Sequence, residues 1–177
     1  MMKAIYTIFI LLATLASTSV DAKTFLTEKE LLSQAFPEAG KTSDSKHNKQ
    51  TLWLDDALQS KIENILSHPY PKLRIKYWKN EKKTVWILEE IGKVKPITFG
   101  FVITDNQVEL ARVLTFRESR GYEIANQSFY QQFNQTKLIQ DYQLSKQIDG
   151  ISGATMSVSA MKKIAKLALM LHQEVMK

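Results

Sequence analysis

The sequence comprises 177 residues, room for one domain of common size with a short appendage. It contains no cysteine, which excludes disulfides, thiolate-ligated iron–sulfur clusters, covalent haem through Cys-x-x-Cys-His and lipidation of an N-terminal cysteine. The net charge of +6 is scattered, with mild concentrations in "KLRIKYWKNEKK" and "MKKIAKLALM" that read as solvated faces, not as a nucleic-acid surface; weak attraction to anionic lipid or an acidic redox partner stays open.

The chain begins "MMKAIYTIFILLATLASTSVDAK". A positive start at Lys3, an apolar run from Ala4 to Ala16 and a small-residue site at Val20-Asp21-Ala22 fit a cleaved export signal over residues 1–22. The run is short of the roughly 20 residues that span a bilayer comfortably. Residues 23–50 read as an N-terminal helix followed by a polar linker. In "LTEKELLSQAF", Thr27 and Glu30 form a capping box, Leu26 and Leu31 a hydrophobic staple, and Pro37 and Gly40 end the helix. "KTSDSKHNKQ" (41–50) lacks periodicity and reads as a loop. "LDDALQSKIENIL" is a second helix, capped by Asp55 and Asp56, with Ala57, Leu58, Ile62, Ile65 and Leu66 on one stripe and "HPYP" as its stop.

The period then changes. "LRIKYWK", "TVWILEE", "ITFGFVIT" and "QVELARVLTF" are four strands rich in β-branched and aromatic residues, joined in part by polar turns that favour antiparallel pairing. "NQSFYQQF" reads as a short helix and "YQLSKQI" as a short strand or extended arm. From Ser157 to Met176, Met161, Ile164, Ala165, Ala168, Leu171 and Val175 recur at helical spacing, with Lys162, Lys163 and Lys166 outside. The expected fold is α+β: an antiparallel-rich sheet of four to six strands, flanking helices and a long C-terminal amphipathic helix.

Just ahead of that helix stands "DGISGATMS", residues 149–157. A glycine-containing loop before a helix start lets an anion reach unpaired backbone N–H groups and the positive end of the dipole. The same composition also serves as an N-cap, with Thr155 or Ser157 as the capping hydroxyl. A second turn, "FRESRGYEI", follows the longest strand. Arg117 and Arg120 are placed to face a phosphate or an electron-rich ring, and Gly121 permits close backbone approach. It reads equally as a solvated turn.

Together, "IDGISGATMS" and "VLTFRESRGYEIANQSFYQQF" resemble the two features of the FMN-binding domain family: the acidic-S/T-G-A-T flavinylation signature and a Glu-x-x-Gly turn after a strand. That family includes the C subunit of sodium-pumping NADH:quinone oxidoreductases and the G subunit of the Rnf complex. The resemblance is good from Leu88 to Met176 and thin back to "LLSQAFPEAG", so that residues 51–177 make up the FMN-binding domain. Where the respiratory subunits usually read Glu-Thr-Pro-Gly, this chain has Glu118-Ser119-Arg120-Gly121, closer to the small exported members.

The resemblance implies that Thr155 carries FMN through a phosphoester. It implies too that Asp149, Ser152, Gly153 and Ala154 form the segment recognised by a Mg²⁺-dependent flavin transferase using FAD. Glu118 and Gly121 match the turn against the bound flavin, and Arg120 and Ser157 complete the cofactor-binding set. The implied protein is an exported, periplasmic electron carrier, membrane-associated or free, exchanging electrons with a membrane or periplasmic redox partner. It is an electron carrier more than a stand-alone enzyme. The alternatives are a regulatory module holding FMN or another phosphate compound non-covalently, and a flavin enzyme reducing a small acceptor itself. Trp86, Phe99, Phe101, Phe116 and Tyr122 are candidate ring neighbours, although aromatic residues at strand spacing are commoner in cores. His47, His68 and His172 share no metal-ligand spacing and read as surface histidines, so no metal site is assigned.

Overall fold

The computed structural model describes residues 22–37 and 49–177. The export-signal reading therefore lies outside the described residues apart from Ala22, as do His47 and most of the 41–50 loop. Four strands follow the sequence pattern closely: β3 (Arg74–Lys79), β4 (Lys83–Ile91), β5 (Pro96–Thr104) and β6 (Gln107–Phe116). Two edge strands complete an antiparallel sheet of six. β1 (Lys23–Thr24) pairs with the end of β6, and β2 (Lys49–Trp53) pairs with β3, giving the order β1-β6-β5-β4-β3-β2. β2 begins inside the stretch read as a loop. Its KQTLW sequence lacks apolar alternation because most of the strand is exposed, and pairing to β3 alone defines it. A two-stranded ribbon of β7 (Leu138–Ile139) and β8 (Gln143–Leu144) lies apart.

Helix α1 (Glu28–Ala35) covers one face of the sheet. Its capping box is present: Glu30 N donates to Thr27 Oγ1 at 3.2 Å and Thr27 N to Glu30 Oε2 at 2.7 Å. Leu31 and Ala35 pack with Trp78, Val85, Val102 and Leu114, with Leu26 alongside as the staple requires. On the other face lie α2 (Asp56–Leu66) and α4 (Thr155–Val175), which build the larger core with Trp86, Phe99 and Phe101. Asp55 alone caps α2, accepting from Leu58 N at 2.8 Å, while Asp56 sits in the first turn and Ala57 faces solvent. The short helix α3 (Gln127–Tyr130) lies in the connection from β6 towards the ribbon, after a 3-10 turn at Tyr122–Ala125.

Helix α4 is buried over most of its length. Leu167, Leu169 and Met170 join the expected stripe, so the amphipathic pattern understates how much of the helix the molecule encloses. His172 corrects the surface reading. It is 2% exposed, and the Thr84 hydroxyl, which receives the Trp86 indole N–H at 2.8 Å, lies 2.8 Å from its Nδ1. Burial is the main reason its pKa falls to about 4; nearby Asp105 opposes the fall and Lys79 adds to it. His68 is half-buried, its Nε2 lying 3.0 Å from the buried Glu90 carboxylate.

Candidate functional site

Register brings the site to one end of the sheet. β6 ends at Phe116, β4 turns into β5 through Gly92 to Lys95, and α4 begins beside them, so both sequence motifs lie at the same strand ends. The contact is direct. Gly121 adopts φ +91°, and a Cβ built there would stand 2.8 Å from Ser157 Oγ and 3.3 Å from the Ala154 Cβ. Only glycine meets both demands, the left-handed backbone and the close approach to the helix. The reason for a glycine in "ESRG" is thus the first turn of α4.

That first turn is not capped by a side chain. The helix starts at Thr155, two residues ahead of the sequence expectation, with Ala154 at the N-cap and no side-chain hydrogen bond to it. This answers the choice left open above: neither Thr155 nor Ser157 is the cap. Ser157 is buried against Gly121, whereas Thr155 is exposed at the first helical position. The preceding loop is held at both ends. Asp149 N donates to Gln132 Oε1 at 2.8 Å, Ile148 is buried, and Ala154 N donates to Ile151 O at 3.0 Å. Between these anchors, Asp149, Ser152 and Gly153 face solvent, Gly153 at φ +81°.

Glu118 does a different job from the residues at the helix start. Its Oε1 accepts the backbone N–H groups of Lys93, Val94 and Lys95 at 2.5, 2.5 and 2.8 Å, tying the β6 exit to the β4–β5 turn. Partial burial pushes this carboxyl up, but the donors of Val94, Lys95 and Lys93 outweigh it and hold the pKa below the usual carboxylate range. A depressed carboxylate stabilises the fold above its unfolded pKa, and that contribution disappears as pH falls through the folded value. Glu118→Ala is expected to cost about 2 kcal/mol near neutral pH. The gap from wild type should close in acid; urea titrations at pH 7 and pH 3 measure both parts.

Arg117 and Arg120 diverge. Arg117 turns to the α1 side of the sheet, donating to Pro96 O at 3.1 Å and Thr98 Oγ1 at 2.9 Å, with Glu89 at 3.7 Å. Arg120 is exposed beside Gly121. Of the aromatic candidates, Trp86, Phe99, Phe101 and Phe116 are core, at most 2% exposed, and only Tyr122 reaches the surface, at 48%. Lys23 Nζ lies 5.0 Å from the Tyr122 ring centre and 4.8 Å from that of Phe25. Sequence reasoning passed over Lys23, Phe25 and the Gly92–Lys95 turn, because strand pairing and the Glu118 carboxylate alone bring them here.

The arrangement pairs an anion-accepting helix start with a hydroxyl at its tip and a glycine turn packed flat against it. It belongs to an α+β domain whose longest helix starts without a side-chain cap against a glycine turn. Residues 92–170 match the family model described as FMN-binding domain. No curated protein and no solved structure matches the chain. The segment contains the β4–β5 turn, Glu118, Gly121 and the whole of residues 149–157. Its residues fit an FMN phosphate: the helix start lacks a side-chain cap, Thr155 is exposed, and Gly121 packs closely against Ser157 and Ala154 of the first turn.

Proposed function

We propose that this protein is an exported electron-transfer flavoprotein holding FMN through a phosphoester on Thr155 Oγ1. The observation that carries the reading is the exposed Thr155 hydroxyl on an N-terminus that no side chain caps. When bound, FMN supplies the redox chemistry, taking up and giving back electrons singly or in pairs. The chain's residues supply the mount. Backbone N–H groups of the first turn and the helix dipole offset the phosphate charge, and Gly121 keeps the approach clear. Tyr122, with Lys23 beside it, offers an aromatic surface at the edge of the site.

Attachment requires help from outside. No base is hydrogen-bonded to the Thr155 hydroxyl among the described residues, and an unassisted threonine is a poor nucleophile. A Mg²⁺-dependent transferase using FAD balances the step: an Oγ1–phosphorus bond forms, the pyrophosphate link breaks, AMP leaves, and the hydroxyl proton passes to a base of the transferase. The solvent-facing Asp149, Ser152 and Gly153 leave the loop open to such an enzyme.

The test is co-expression with a flavin transferase, followed by denaturation, in-gel flavin fluorescence and intact mass. The expected result is one FMN per chain that survives denaturation. Thr155→Val is expected to abolish it completely while the fold persists, because Thr155 is exposed. Flavin released on denaturation would favour the non-covalent module, and a wild-type mass equal to the bare polypeptide would defeat the proposal.

A further inference from the structure

Among the described residues, most exposed large apolar side chains gather at one end of the sheet. Trp53 ends β2, Leu73 precedes β3, Ile91 ends β4, and Val94 tips the β4–β5 turn; they are 66, 68, 50 and 69% exposed. Phe25, Tyr122 and Met156 lie at the same end beside the helix start, and only Ile139 sits near the opposite end, where Lys137 bridges Gln107. The first four form a strip that adjoins the flavin site only through the β4–β5 turn. Cations alternate with them: Lys72, Arg74, Lys93 and Lys95 are all exposed. Of the nearby acids, Asp56 is exposed and Glu28 lies 3.7 Å from Lys49, while two others are engaged at the strip itself. Glu89 lies 4.0 Å from Lys72 and 3.7 Å from Arg117 and accepts from Thr98 Oγ1, while Glu118 is taken up by the turn. Behind the strip, a recess of about 590 Å³ is lined by Trp53, Leu73, Trp78, Lys72, Arg74 and Glu28, among others.

We infer that this strip seats the protein on an anionic bilayer surface, with the apolar tips entering the interfacial layer and the cations meeting lipid phosphates. Single apolar side chains, a tryptophan among them, interleaved with Lys and Arg are what an interface between headgroups and acyl chains accommodates. Strand β1 agrees. Lys23 pairs with Phe116 at these same strand ends and adds an exposed cation there. A protein partner would need a continuous complementary patch, whereas the strip offers isolated apolar tips separated by charge. Only the purpose rests on the functional reading: the seat would hold the Thr155 end at the membrane, within reach of a membrane-bound redox partner.

The absence of cysteine makes the test clean. The full chain, expressed for export, carries one cysteine at Leu73→Cys or Val94→Cys, or at Lys82→Cys in the exposed turn at the opposite end. Each is labelled with an environment-sensitive fluorophore and mixed with vesicles of phosphatidylcholine alone or with phosphatidylglycerol. The expected result is a blue shift at 73 and 94 with the anionic vesicles only, and none at 82. Lys93→Gln with Lys95→Gln should lower vesicle partitioning about thirtyfold. The shifts should persist in Thr155→Val, which separates this inference from the flavin assignment. Equal shifts at all three sites, no shift at 73 and 94, or a shift produced by an acidic protein partner and not by vesicles would each overturn it.

Discussion

Gly121→Ala is expected to destabilise the protein by about 3 kcal/mol and to reduce flavin attachment in parallel. Two costs combine. A non-glycine residue at φ +91° pays about 1–2 kcal/mol of backbone strain. The new methyl group would also stand 2.8 Å from Ser157 Oγ, inside a buried contact that can give way only by shifting the first turn of α4. Overpacking of this kind costs about 1–3 kcal/mol. A double-mutant cycle separates the two. Ser157→Ala removes the clashing oxygen but leaves the strain, so in the Gly121→Ala background it should restore part of the loss, with an interaction energy near 1 kcal/mol. Urea titration measures the stability, and flavin fluorescence after transferase treatment measures the consequence at Thr155. A Gly121→Ala variant as stable and as fully flavinylated as wild type would mean that the turn does not brace the helix start.

The second large effect is a pH dependence seated at the other end of α4. His172 is enclosed with a folded pKa of about 4, against about 6.5 in an unfolded chain. As pH falls below 6.5 the unfolded chain takes up a proton that the folded one refuses, so stability declines between roughly pH 6.5 and 4 and is greatest above that window. The loss amounts to about 2 kcal/mol by pH 5, where most carboxylates are still ionised. His172→Phe keeps a planar ring, somewhat larger, and removes the titration. Its stability between pH 7.5 and 5 should therefore be nearly flat, apart from a constant offset for the lost contact to Thr84. Denaturant midpoints at the two pH values, for wild type and variant, are sufficient. An unchanged slope in the variant would place the proton uptake on another group.

Much of the fold could be read from the residues themselves. Strands β3 to β6 announce themselves by β-branched and aromatic runs, and α1 by a capping box that the structure reproduces atom for atom. β1 and β2 could not be read in the same way. β1 is two residues long and exists because Lys23 and Thr24 find the end of β6; β2 is an exposed edge whose alternation carries no apolar signal. Both owe their identity to partners distant in sequence. The start of α4 was misread for a related reason. Ser157 has the composition of a cap, but the approach of Gly121 turns it into a packing residue. His172 was legible after all: it stands four residues after Ala168, on the stripe that the helical period marks as core. The two site motifs were visible singly, while their contact is a product of sheet register. Lys23 and Phe25, which share that end, carry no local signature at all.

Helix α4 has one further consequence. It is clamped along its length by the sheet and by α2, and closed at its far end by the Thr84–His172 pair, so its tip is a fixed post and not a swinging arm. Under the proposed attachment at Thr155, a cofactor fastened to such a post would have only the few rotatable bonds of its own tether with which to move. Partners would then have to come to it, and the pace of exchange would be set by how often they arrive in the right orientation.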